Sequence, residues 1–496
     1  MKYLLFGLLL GIQSSFASDP VRLYVKEVPL TILGKKITVV AIEQEDGTEG
    51  LEPEKKDGFH VEVVNQLKVP TSIHWHGLVL PNNMDGVPFV TQEPIPPGET
   101  FHYNFPLKQS GTYWMHSHYG LQEQLYNSAP LIIWTPEERA KADTQFVIML
   151  SDFSFTPPGE ILKNLESGMT MPKMEGTMKM PAVSAVELLA PKWDGKTLTH
   201  QTVMGEPAEI DVVYDALLAN RRTADNPDVL PVEPATTVLL RLIAASSATN
   251  FFIDTGTLEA ELLAVDGKAV KPLTGHYFQL AIAQRMDLRV KIPPGGGAFP
   301  IVAQGEGTKR LCGVVLATKG SKIPVLQTSA AIPTVALDNT QEKLLEAVEP
   351  LMPKPADRNL PAMLGGDMAN YTWTINGAAY PNRQSLNVRN GERIEIAFTN
   401  HTTMGHPMHL HGHDFQVVEI DGEKLSGALR DTVQIPPHSA IKIVFDANNP
   451  GIWAFHCHLL YHMARGMFTI LSYEDADASQ WQPEKSKTEL PGLRPD

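Results

Sequence analysis

Two features of the 496-residue sequence predict an all-β protein made of three β-sandwich domains. Short runs rich in β-branched residues recur along it, bounded by Gly, Pro and Asn: VEVVNQL, PLIIWT, TVLLRLI, DLRVKIPP, RIEIAFTN and IKIVFD. That pattern marks sandwich strands, and helical periodicity is scarce. The chain also repeats itself. IPPGETFHYNFPLKQSGTYWMHSH (residues 95–118) and IPPHSAIKIVFDANNPGIWAFHCH (residues 435–458) place a His-x-His pair at the same offset from Ile-Pro-Pro. A third Ile-Pro-Pro-Gly begins at Ile292 but has no histidine at the matching offset. Three copies of one sandwich, the first and last bearing histidine pairs and the middle one bare, account for this economically.

The elements follow in chain order. Lys2 precedes an apolar run from Leu4 to Ile12, and Ser15 and Ala17 supply small residues for cleavage, so residues 1–17 read as a secretory signal peptide. The run is too short for a membrane span, which needs about 20 apolar residues, and no other stretch approaches that length. The first sandwich is placed at 18–137 and the second at 138–320. Residues 321–368, rich in Pro, Ala and Leu, read as a connector, and the third sandwich is placed at 369–496.

A formal charge of −15 argues against nucleic acid, whose binders present basic patches. Charged residues at 20% and hydrophobic ones at 43% describe ordinary globular material, and a monomer is expected. Two cysteines in an exported chain suggest a disulfide by default. Cys457, however, lies in His456-Cys457-His458, where a thiolate between imidazoles is more useful as a soft metal ligand. Cys312, in RLCGVVLA, then reads as a small buried apolar residue.

Four His-x-His pairs among only 17 histidines are too many for chance: His74/His76, His116/His118, His409/His411 and His456/His458. On a strand, residues i and i+2 point to one face, so each pair offers two imidazoles to one cavity. Imidazole suits copper, which can change oxidation state under such ligands, whereas zinc cannot. In HCHLLYHMARGM, Cys457, His462 and Met467 add a thiolate, an imidazole and a thioether, and His406 upstream adds a second imidazole. Two His, one Cys and a weak axial Met describe a blue-copper electron-transfer centre. The tripeptide at 456–458 would join that centre covalently to the histidine cluster.

The motifs HWHG, HSH, HPMHLHGH and HCHLLYHMARGM resemble those of the multicopper oxidase family, and the resemblance covers nearly all of the chain after the leader. It implies three cupredoxin-like Greek-key β-sandwich domains and four copper ions. A type 1 copper would be held by His406, Cys457, His462 and Met467, and a type 2 copper by His74 and His409. A type 3 pair would take His76, His116, His118, His411, His456 and His458. The implied reaction takes electrons singly from a small reductant and uses four of them to reduce O₂ to water. GTYWMHSHYGLQEQ and HCHLLYHM look closest to periplasmic copper-resistance oxidases of bacteria, so Cu(I) is the favoured reductant, with copper tolerance in the periplasm as its purpose. A laccase acting on phenols is the alternative. A non-enzymatic copper store is a rival of another class, disfavoured because storage needs no wired cluster.

Four further readings concern residues near or beyond these motifs. Asp85, in MDGVP, matches a position often acidic in the family and is assigned proton supply, although Asp-Gly is also turn chemistry. Many laccases carry a second acid just after the last type 1 histidine; here that residue is Met463. Asp431 resembles a position that braces the third domain. Finally, Met169, Met171, Met174, Met178 and Met180 are five of the chain's 18 methionines. Their spacing suits neither a helix nor a strand face. The readings open for them are a loop binding Cu(I) through soft thioethers, an adaptable substrate surface, and no role.

Overall fold

The computed structural model describes residues 20–141, 144–168 and 185–476. The leader and the five clustered methionines, Met169 to Met180, lie outside the described residues. Most strands fall into six sheets, two in each third of the chain, which makes three successive sandwiches. Strand character follows from alternation: Phe59–Asn65 alternates buried and half-buried side chains along its length, so one face enters the core.

The internal repeat persists in the hydrogen-bond register. In the first sandwich Val21–Ile32 runs parallel to Phe59–Asn65, which pairs antiparallel with Thr100–Phe105. Thr144–Phe153, Thr237–Ala244 and Arg285–Lys291 repeat that order in the second. Arg358–Asp367, Arg393–Asn400 and Ala440–Asp446 repeat it in the third. The opposing sheets also correspond. His74–His76, Gly111–His116 and Ser128–Ile133 form one, and His406–Leu410, Ile452–Cys457 and Phe468–Tyr473 lie side by side in another. The middle sandwich has Phe251–Asp254, Ala298–Gly305 and Leu311–Ala317 there. Its Phe251, Phe252 and Ile253 are fully buried, so this copy spends the surface on apolar packing.

A single contiguous apolar cluster runs through the first and third sandwiches, from Trp75 and Trp114 to Trp373 and Trp453, whereas the middle sandwich has its own. That shared core brings the two histidine-bearing sheets together. Charge joins the middle domain to the others. Arg285, fully buried, donates to both carboxylate oxygens of Asp431 at 2.8 and 2.5 Å, and Arg430 donates to Asp266 at 3.0 Å and Glu342 at 2.7 Å. Buried charges of this kind are tolerable only when paired and hydrogen-bonded.

Two elements differ from the sequence expectation. Arg358–Asp367, placed in the connector, is a strand inside the third domain's sheet, between Thr372–Ile375 and Arg393–Asn400. Pro361 and Gly365-Gly366 disguise it, because such residues normally mark loops. Pro158–Glu166 is a nine-residue helix that buries Ile161, Leu162 and Leu165 in the shared core. It ends at an ion pair, Glu166 with Arg465, of 2.8 Å.

Candidate metal centres

Strand geometry aims the histidines. His74 and His76 share one face, while Trp75 turns to the other and packs edge-on against Phe59 with ring centroids 4.6 Å apart. The register sets His74 opposite His116, and His409 opposite His456. The chain must turn sharply at Gly77, where φ is +85° and a Cβ would lie 2.4 Å from an Asp431 oxygen.

Across the interface of the first and third domains, donor atoms gather in groups whose members all lie within 4.8 Å of one another. These are His74/His76/His409, His76/His116/His458, His118/His411/His456, His74/Asp85/His411 and, separately, His406/Cys457/His462. The structure thus brings together the eight paired histidines and, apart from them, the cysteine with two more. Met467 is buried, and its backbone brackets the cysteine: the Cys457 N–H donates to the Met467 carbonyl at 3.0 Å. Cys457 and Cys312 are both free and buried, so no disulfide joins them.

Whether these atoms suit a metal can be decided from where the ring protons lie. His411 Nδ1 faces Asp85 Oδ2 at 3.0 Å and His456 Nδ1 faces the Cys457 carbonyl at 3.0 Å, so both Nδ1 atoms carry hydrogen. Their Nε2 atoms then point lone pairs at each other across 3.0 Å. His116 and His458 also face each other through Nε2 atoms 3.3 Å apart, with the His116 Nδ1–H on the Ser117 carbonyl at 3.2 Å. His74 and His409 donate Nδ1–H to the carbonyls of Asp85 and Asp431 at 2.7 and 2.8 Å, leaving buried Nε2 atoms without a partner. In the separate group, His406 Nε2 meets Thr402 Oγ1 at 2.7 Å and His462 Nε2 meets Asp211 Oδ2 at 3.0 Å. Both Nδ1 atoms face Cys457 Sγ, at 3.7 and 3.9 Å, and the Thr402 contact leaves the His406 Nδ1 with its lone pair. Converging lone pairs repel unless a cation lies among them, so the donor sets fit metal ions.

Burial, reinforced by neighbouring imidazoles, holds His76, His116, His118, His406, His409, His411 and His458 well below the ordinary histidine range. Burial also lowers His456 to about 4. These rings are neutral at physiological pH, as metal ligation requires. Burial pushes the Cys457 thiol up, with the Asp211 charge adding to it, so a thiolate there needs a cation beside it. Cys312 is raised by burial alone and has no such neighbours among the described residues.

Three buried carboxylates surround the eight-histidine cluster, and the sequence pointed to only one of them as chemistry. Asp85 is fully buried on His411 and, at 3.3 Å, on His74, while its backbone caps a short helical turn at 82–84. Asp431 braces the domains, but it also lies 3.1 Å from His76 Nε2, so it touches the site directly. Glu123 lies 3.0 Å from His116 Nδ1 and was not anticipated. Burial, with Asp152 nearby, raises its carboxyl well above the usual range. Met463 instead packs in an apolar cluster with Val87, Leu460 and Phe468. Asp211, from the middle domain, was missed as well. Contacts between residues far apart in sequence leave no local periodicity by which to find them. His413, the last residue of HPMHLHGH but not among the expected ligands, is structural: it bonds Tyr473 at 2.7 Å and the His411 carbonyl at 3.0 Å.

Comparison with known proteins agrees with this geometry. Family models described as multicopper oxidase match residues 24–138, 191–323 and 353–477. The chain is 34% identical to multicopper oxidase MmcO of Mycobacterium tuberculosis over 84% of its own length and 79% of that protein. It is 26% identical to copper resistance protein A of Pseudomonas syringae, covering 91% of this chain and 92% of that one. The fold is similar to the crystal structure of Fet3p, a multicopper oxidase that functions in iron import, with a TM-score of 0.73 and 22% identity over 93% and 92% of the two chains. The chain belongs to the multicopper oxidase family: it is a copper-dependent oxidoreductase that passes electrons from a small reducing substrate to O₂.

Proposed function

We propose that the enzyme is a cuprous oxidase that binds four coppers, works as a monomer and serves copper tolerance in the periplasm. The type 1 ligands are His406, Cys457, His462 and Met467, and the type 2 ligands are His74 and His409. His76, His116 and His458 hold one copper of the type 3 pair, and His118, His411 and His456 hold the other. Copper bound in these places supplies one-electron uptake at the thiolate and four-electron reduction of O₂ to water at the cluster. The residues fix where each event takes place. His456 and His458 flank Cys457 directly, so one tripeptide reaches both groups. Asp85, buried against His74 and His411, is the acid placed to hand protons to that side of the cluster. The periplasmic assignment follows from the leader at 1–17, outside the described residues, and from the likeness to copper resistance protein A.

The surroundings of His462 carry the choice of Cu(I). The imidazole is fully buried, its outer nitrogen lies on Asp211, and Trp373 stacks on its face with centroids 3.8 Å apart. An aromatic substrate finds no exposed imidazole edge there, whereas a small cation is drawn to a carboxylate. The thioether-rich sequence at 169–180 follows directly on Gly168, whose Cβ position would be 4.0 Å from the Ala369 carbonyl, four residues before Trp373.

Replacing Met169, Met171, Met174, Met178 and Met180 with Leu tests this. Leucine keeps approximate volume but removes the sulfur lone pairs. All coppers and the blue colour should persist, while kcat/KM for Cu(I) falls about tenfold, chiefly through KM, and phenol oxidation barely changes. Parallel change in the two activities sinks the Cu(I) assignment and favours a laccase.

A further inference from the structure

The three carboxylates around the cluster share a pattern that no single contact reveals. Asp85 spans His74 and His411, at 3.3 and 3.0 Å. Asp431 spans His76 and His409, at 3.1 and 3.7 Å. Glu123 spans His116 and His458, at 3.0 and 3.9 Å. Each therefore faces one imidazole from the first domain and one from the third. The remaining cross-domain pair, His118 and His456, has no carboxylate among the described residues, and His456 already gives its Nδ1–H to the Cys457 carbonyl.

We infer that Glu123 is a positioning residue: a carboxylate clamp that holds His116 and His458 together across the domain interface by accepting an Nδ1–H from each. The inference rests on the assignment of those histidines to one type 3 copper. Metal on the facing Nε2 atoms requires hydrogen on both Nδ1 atoms, so the groups behind the rings must be acceptors. Glu123 provides two on one rigid base. It sits in the short turn Gln122–Leu125, all but inaccessible to water, five residues beyond His118. Its Oε1 has no partner, nor does His458 Nδ1 opposite it, so two buried polar atoms are aimed at each other. Leaving both unpaired is costly, and 3.9 Å is too long for a bond. Drawing the two Nε2 atoms onto one ion is the movement that closes the gap. The two contacts are also unequal in a way that can be measured. The His116 Nδ1–H is already directed to the Ser117 carbonyl at 3.2 Å, whereas His458 Nδ1 has no side-chain acceptor among the described residues and only its own backbone carbonyl beside it. Loss of Glu123 should therefore fall mainly on the third-domain ligand.

Two variants of the full-length enzyme test the clamp. Glu123→Leu removes both acceptors and fills the space with apolar volume, and the melting temperature of the metal-free chain reports the cost of the lost contacts separately from copper retention. Glu123→Gln keeps one carbonyl acceptor and should be intermediate. After copper loading, both variants should stay blue. Copper at the histidine cluster should be lost to a chelator about 10–100-fold more readily in the Leu variant, and less so in the Gln variant. Electron paramagnetic resonance should report an uncoupled Cu(II) from the broken pair, which is silent in wild type. A Leu variant that retains copper like wild type with the pair still silent overturns the clamp, as does slowed turnover without either change. If neither variant folds, the crystal structure of copper-loaded wild type decides. Both Glu123 contacts should be at or below about 3.2 Å, and an oxygen still remote from His458 contradicts the inference. A wild type that is colourless at full copper loading would instead refute the copper-site assignment itself.

Discussion

Cys457→Ser enzyme is expected to lose its blue colour and essentially all oxidase turnover, while keeping copper at the three positions of the histidine cluster. The sulfur sits 3.7 and 3.9 Å from the Nδ1 atoms of His406 and His462 and is the soft member of that donor set. A serine oxygen is a harder donor that does not replace a thiolate on copper, and the visible band arises from sulfur-to-copper charge transfer. The neighbouring imidazoles should stay where they are, because backbone pairing fixes them. His409 pairs with His456 and Met408 with Cys457, and the Cys457 N–H still meets the Met467 carbonyl at 3.0 Å. Metal analysis and a visible spectrum read both outcomes. A Ser variant that remains blue removes Cys457 from the type 1 site.

Asp85→Asn is expected to hold all its coppers and to slow the O₂-reduction half of the cycle by about a hundredfold, the lower range of general acid catalysis. The amide preserves position. Its carbonyl oxygen can still accept from His411 Nδ1, and His74 is held by the Asp85 backbone carbonyl at 2.7 Å whatever the side chain. What it cannot do is carry a proton. The first half-reaction, reduction of the blue centre, should be unaffected, because Asp85 belongs to the cluster at the domain interface and not to the cysteine group. Single-turnover reoxidation across acid to neutral pH measures this. An unchanged rate would leave Asp85 as a hydrogen-bond anchor that also closes the turn before Gly86.

Local chemistry made much of the molecule legible in the sequence. Strand runs such as RIEIAFTN carry their period of two on the surface of the text, and the repeated Ile-Pro-Pro offset revealed copies that the strand register repeats in all three domains. The gathering of the paired histidines was legible for the same reason, since His-x-His on a strand is a local statement about one face. Long-range partners were hidden. Glu123 is one polar residue among several in QEQ, and only folding reveals that it stands behind His116 and His458. Asp431 looked like a brace, yet the turn at Gly77 brings His76 within 3.1 Å of it. Asp211 reaches His462 from a domain that holds none of the predicted type 1, type 2 or type 3 ligands. Arg358–Asp367 was hidden by its own Pro and Gly residues, which the sheet tolerates because Leu360, Ala362 and Leu364 carry its core face.

The middle domain is not idle. Arg285 grips Asp431, and Gln284 donates to the Thr432 carbonyl at 3.0 Å. Asp431 and Thr432 in turn contact His76 and His409. A sandwich that supplies none of the predicted type 1, type 2 or type 3 ligands thus holds the side chains that contact the histidine cluster built by the other two.

The most direct test of the whole account is the electron count per O₂. Copper-loaded enzyme should consume four Cu(I) for each O₂ and release no hydrogen peroxide, because the site reached through Cys457 and its two flanking histidines is built to deliver all four electrons before product leaves. A ratio of two Cu(I) per O₂ with stoichiometric peroxide would contradict it.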